Sequence, residues 1–172
     1  MGNALVTLIL VTVVMVSALG LVSGSVSALD MLANSSKEMQ DQACERGRTS
    51  IACSDAILDG AGVSLQVTNV GGIPVFRFED WDVIIQYRDV NDEDRVVWLP
   101  YSSIGGEVNQ WILEGIYFDG EAEAIEPGIL NPGETAVIEA VLSPAIGQDT
   151  TNMATVATDT GVSAQLVFGG ND

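Results

Sequence analysis

The sequence predicts an α+β protein: a long N-terminal hydrophobic α-helix followed by an immunoglobulin-like antiparallel β-sandwich. Three observations carry this. Residues 1–29 contain no Asp, Glu, Lys or Arg, and the first ionisable side chain is Asp30. From residue 60 the texture changes to short alternating apolar and polar runs. Gly, Pro, Asn and Asp cluster between those runs, where turns are made.

The uncharged run admits three readings. A cleavable secretory signal fits poorly, because such signals open on positive charge and carry a core of only about 7–15 apolar residues. A membrane anchor fits in length, since about 20 apolar residues span a bilayer. Its flanking cations are sparse, however: Lys37, Arg46 and Arg48 all follow the run. The third reading is a helix buried among copies of itself, since a helix apolar all round must be buried. Ser17, Gly20, Ser23 or Gly24, and Ser27 recur every three or four positions. Gly20 and Gly24 form one Gly-x-x-x-Gly, which lets helix backbones approach closely. With Leu5, Leu8 and Val13 these small residues make the candidate packing set. A lipid-facing anchor with incidental glycines is the plainer alternative.

Helix formers continue through Ala28–Ala33, with Lys37 and Glu38 as exposed charges. The expected divisions are a hydrophobic polymerisation helix over 1–40, a disulfide-stapled junction over 41–59 and a β-sandwich head over 60–172. Asn34-Ser35-Ser36 is an Asn-x-Ser glycosylation acceptor, useful only if the neck is exposed. Cys44 and Cys53 are the only cysteines and bracket a polar stretch with a Gly. An even count in an exported chain points to a disulfide. Such a closure is worth about 3 kcal/mol by chain entropy. Two free thiols are the alternative; a zinc site would lack ligands, as there is no His and no other Cys.

In the head, Val63–Asn69 alternates as a half-buried strand, and Asn69–Pro74 is a turn cluster. Asp82–Tyr87 and Arg95–Leu99 are strands joined by the polar tip Arg88–Asp94. Trp111–Phe118 reads as an interrupted strand, Leu130–Glu134 as a turn, Thr135–Leu142 as a strand and Thr160–Phe168 as the last. About seven short strands so spaced argue for the sandwich. The Cys–Trp–Cys pattern of true immunoglobulin domains is absent.

Charge excludes some functions. The chain of 172 residues carries 24 acids against 6 bases, net −18. A nucleic-acid binder needs a basic footprint, so no nucleic-acid partner is expected. Without His no Ser–His–Asp or Cys–His device can form. Acids are too many for any pair to stand out as a glycosidase couple, and no Gly-rich turn leads into a helix as a phosphate loop does. An enzyme is not expected, nor is a cofactor. The cluster Asp89, Asn91, Asp92, Glu93, Asp94 offers oxygens to Ca²⁺. It lacks the sixth-position Gly and twelfth-position Glu of a helix–loop–helix calcium loop, and a solvated hairpin tip is the simpler reading. Trp81, Trp98 and Trp111 are read as core or inter-subunit packing rather than a sugar platform.

An uncharged N-terminal helix over Leu5–Leu29, the strand Val63–Gly71 with its Leu-Gln-Val-Thr-Asn-Val-Gly, and the closing strand Gly161–Phe168 together resemble an archaellin. Archaellins are filament subunits of the archaeal flagellum, within the type IV pilin-like superfamily. Leu5 stands where bacterial type IV pilins usually carry a glutamate, which leans toward archaellin. The resemblance implies a precursor cut by a prepilin-type peptidase before a residue such as Met1. It implies insertion in the membrane before assembly, then assembly by an inner-membrane platform into a homopolymeric, extracellular helical filament. Helices would form the core and sandwiches the shell, for swimming. Repeated heterologous contacts generate such filaments. Two rivals share the layout: an adhesive or conductive pilus subunit, and a membrane-anchored, stator-like accessory protein of the same machine. Residues 1–39 hold no aromatic side chain, which counts against conduction.

Overall fold

The computed structural model describes residues 2–105 and 107–169; within helix α1 the side chains of residues 2, 4, 5 and 18–29 are not described. The chain divides into two compact units, residues 1–43 and 44–172.

Helix α1 spans Gly2–Arg48. Its apolar N-terminal part keeps its hydroxyls satisfied locally. Thr7 Oγ1 donates to the Asn3 carbonyl at 2.8 Å, and Thr12 Oγ1 donates to those of Leu8 and Ile9 at 2.8 and 2.9 Å. Such back-bonding satisfies a hydroxyl within its own helix. Arg46 and Arg48 stand in the last turn, where cations complement the helix dipole.

The second unit is a sandwich of two antiparallel sheets. One has strand order β1-β2-β7-β5-β6, from Ile51–Asp59 (β1), Gly62–Asn69 (β2), Thr135–Val141 (β7), Trp111–Phe118 (β5) and Glu121–Ala122 (β6). The other has order β4-β3-β8-β9, from Asp94–Leu99 (β4), Asp82–Arg88 (β3), Thr151–Ala157 (β8) and Ser163–Gly169 (β9). Both sheets send alternate residues inward, and together these make one core. Val63, Leu65, Val67, Trp111, Ala136 and Ile138 meet Val83, Ile85, Leu99, Ala154 and Val156 there. Each buried Val, Leu or Ile contributes about 1.5–3 kcal/mol. Edge strands β1 and β9, from opposite sheets, lie side by side.

The junction expected over 41–59 is corrected. Helix α1 runs to Arg48, and Ile51–Asp59 is an edge strand paired with β2. Val63–Asn69 is therefore the second head strand. Strand β1 lacks a strand's period in sequence because a bulge at Ser54 breaks its alternation: Cys53 faces Val67 and Asp55 faces Gln66. Strand β8 lacks it too, since its inward residues are Asn152, Ala154 and Val156, only one of them a large apolar residue.

The expected disulfide is corrected as well. Cys44 and Cys53 are free, the first exposed and the second half-buried. A bridge needs α-carbons about 4.4–6.8 Å apart. The eight residues between the cysteines are not the closing loop that their polarity suggested. They finish α1 at Arg48 and begin β1 at Ile51. Burial instead pushes the Cys53 thiol up to a pKa of about 11.

Candidate functional site

The sandwich is tied to the end of α1 through the turn that follows β2. Asn69, wholly buried, donates through Nδ2 to the carbonyls of Ile73 and Leu130, both at 2.8 Å. Its Oδ1 accepts the Gly71 N–H at 2.9 Å. The turn so held presents two backbone donors. Val70 N–H reaches the Ser50 carbonyl and Gly72 N–H the Arg48 carbonyl, both at 2.9 Å. The Glu45 carbonyl is capped by the N–H and hydroxyl of Thr49, each at 2.9 Å. Helix ends leave carbonyls without intrahelical partners; here the head supplies one of the missing donors. A β-carbon on Gly71 would lie 2.6 Å from the Ser50 nitrogen and 2.7 Å from the Arg48 oxygen. Only glycine fits so close an approach.

The polar tip between β3 and β4 is closed on itself. Asp89 is buried, and its Oδ1 accepts N–H groups from Asn91 at 2.8 Å and Glu93 at 3.0 Å. Its Oδ2 accepts Arg95 Nε at 3.0 Å. Burial raises the Asp89 carboxyl, but these donors together outweigh burial and hold it below its ordinary value. Arg88 pairs with Asp92 at 3.3 Å and Asp94 at 3.1 Å, and Arg95 also pairs with Glu93. The acids singled out for Ca²⁺ are thus engaged by arginines and backbone donors. Among the described residues no group of three or more acids, thiols or imidazoles is arranged to hold a metal ion.

The other expected residues fall as follows. Leu8, Val13 and Ser17 are exposed on α1. Leu5, Gly20, Gly24 and Ser27 lie in α1 but outside the described side chains, and Met1 lies outside the described residues. Asn34 is exposed and helical. Among the described residues no helix is long and apolar enough to cross a membrane. Trp81 and Trp111 are buried in the core, with Trp111 edge-on to Tyr101 at 4.9 Å. Trp98 is not in the core; it lies exposed on β4, its Nε1 donating to Asp82 Oδ1 at 2.8 Å. The roles of Asn69 and Asp89 were missed. The available signal is an Asn or Asp followed two residues later by a turn residue, whose N–H its side-chain oxygen accepts.

No protein-family model matches the chain, and no curated protein matches it in sequence. Solved structures do match. The archaeal flagellum of Methanospirillum hungatei is similar over 96% of this chain and 92% of that one, with TM-score 0.56 and 15% identity. The archaeal flagellin FlaB1 from Methanocaldococcus jannaschii is similar over 72% and 90%, with TM-score 0.55 and 14% identity. The archaellum periplasmic stator protein complex FlaF and FlaG from Sulfolobus acidocaldarius is similar over 70% and 89%, with TM-score 0.51 and 17% identity. The chain therefore has a fold that filament and stator proteins of the archaellum share.

Proposed function

We propose that this chain is the structural subunit of an archaellum-like helical filament. It is membrane-inserted before assembly, extracellular afterwards and used for swimming; it is not an enzyme. The observation that carries this reading is the extent of the likeness. Against the Methanospirillum filament it takes in 96% of the chain and 92% of that one. The uncharged run of residues 1–29 supports it, because removing such a surface from lipid is favourable only onto other apolar surface. A bundle of identical helices supplies that surface, with Gly20 and Gly24 allowing close approach. Processing by a prepilin-type peptidase and assembly by an ATP-driven inner-membrane platform belong to the same proposal.

A stator-like accessory role is the second reading. It is favoured by the sandwich alone, which is similar over 89% of the stator chain. Electron microscopy of sheared surface filaments, with peptide identification of the bulk subunit, separates the two. This chain should dominate the filament fraction. Its retention as a minor membrane species would sink the filament reading and favour the anchored one.

A further inference from the structure

The charges of the head are distributed unevenly. Beyond residue 48 the chain has no Lys and three Arg: Arg77, Arg88 and Arg95. All three lie at the two ends of the four-stranded sheet. Arg77 pairs with Asp80 and, at 3.6 Å, with Asp159, beside the start of β3 and the end of β8. Arg88 and Arg95 engage the tip between β3 and β4. The four strands of this sheet hold Asp82 and Asp94 against Arg88 and Arg95. The five-stranded sheet carries Asp55, Asp59, Glu114, Glu121 and Glu139 with no base at all.

The outer face of the neutral sheet is also uncharged between its ends. Register places Val96, Gln86, Met153 and Val167 in one row across the four strands, and Trp98, Ile84, Thr155 and Gln165 in the next. None of the eight is charged, and Val96, Trp98 and Val167 are 70%, 57% and 64% exposed. The five-stranded sheet also exposes Ile57, Phe118 and Val141, so what sets this face apart is exposed apolar surface without charge between its ends.

We propose that this face is where the head meets a second copy of the same chain. The charge pattern selects that occupant. Two copies at −18 repel one another, and like charges opposed across a contact cost several kcal/mol. A basic partner would be drawn to the five-stranded sheet, which is acidic. A face uncharged between its ends can be covered by an equally acidic copy without opposing like charges there, and the three arginines pair with acids at those ends. The proposal deepens the filament reading and rests on copies meeting in an assembly.

Cross-linking tests it. Val96→Cys and Val167→Cys are made singly in the full chain with Cys44→Ser, and Ile57→Cys on the five-stranded sheet serves as the control. Cells, membranes and sheared filaments are labelled with a thiol-reactive maleimide–benzophenone and irradiated, so that a chain lying against the face is captured whichever of its residues it presents. Either cysteine on the neutral face should give a covalent homodimer several-fold above the Ile57→Cys level. Homodimers no more abundant than the control at both positions, or adducts to a different protein only, would overturn the proposal. The filament reading is scored separately. Filaments built of this chain without face-specific dimers sink the face alone; face-specific dimers confined to membranes, with no filaments, uphold the face and sink the filament.

Discussion

Gly71 and Ser50 are in such close register that a β-carbon on the glycine would lie 2.6 Å from the Ser50 nitrogen. The contact is backbone on backbone, so no side-chain rotation relieves it. Gly71→Ala should cost about 1–3 kcal/mol, the usual penalty of overpacking. Around Gly72 nothing lies within 4 Å of the same added carbon. Gly72→Ala should therefore fall within about 0.5 kcal/mol of the parent. Denaturant melts of both variants check the pair, and equal stabilities would remove the close-approach argument.

Asn69 holds the same turn. Replacing it by Ala strands the Ile73 carbonyl and the Gly71 N–H, and leaves the Leu130 carbonyl with the Val75 N–H alone. Unpaired buried polar groups cost about 1–3 kcal/mol each, less where water can enter. Asn69→Ala should lower the melting temperature, and amide exchange at Val70 and Gly72 should rise with it. Protection unchanged at those two amides would show that the turn holds its shape without the side chain.

The two thiols should label in order. Cys44 is exposed and Cys53 half-buried, with its pKa pushed up to about 11. The thiolate is the nucleophile. Brief alkylation near pH 8, read by mass spectrometry, should modify Cys44 and spare Cys53. The raised value also sets a sign for stability. Between the ordinary value of 9.0 and about 11 the unfolded thiol ionises while the folded one stays protonated. Stability from this group is therefore whole below pH 9 and lost as pH rises through 11. Replacement by Ser should flatten that alkaline fall.

Asp89 works at the other end of the pH scale. Its folded pKa lies below its ordinary 3.8. Its contribution is thus present above that value and is lost as pH falls through the lower, folded one. Asp89→Asn should reproduce the loss at neutral pH as a drop of several degrees in Tm. It should also remove part of the acid-side slope of the parent, and a variant with the parent's Tm and acid profile would show that the tip does not depend on this carboxylate.

Strands were legible wherever one face is buried and the other wet. Val63–Asn69, Asp82–Tyr87 and Thr135–Val141 announce themselves by alternation, because side chains on a pleated strand point to opposite faces. Alternation fails where a bulge shifts the count, as at Ser54, or where small residues face inward, as along Thr151–Ala157. The disulfide reading failed for a related cause. Even cysteine count and polar spacing say nothing about whether the intervening chain is loop, helix or strand.

By itself the sequence determined the uncharged run, the acidic head and the periodicity of most strands. These are properties of neighbouring residues, and water acts on them locally. Only the tertiary structure decided which sheet each strand joins and that Asn69 reaches Leu130, 61 positions away, to shape the turn that grips Arg48. It also decided that the head's arginines all gather at the ends of one sheet. The physical reason is the same in each case. Hydrogen bonds and ion pairs reach only a few ångströms, so their partners exist only once distant parts of the chain have been packed together.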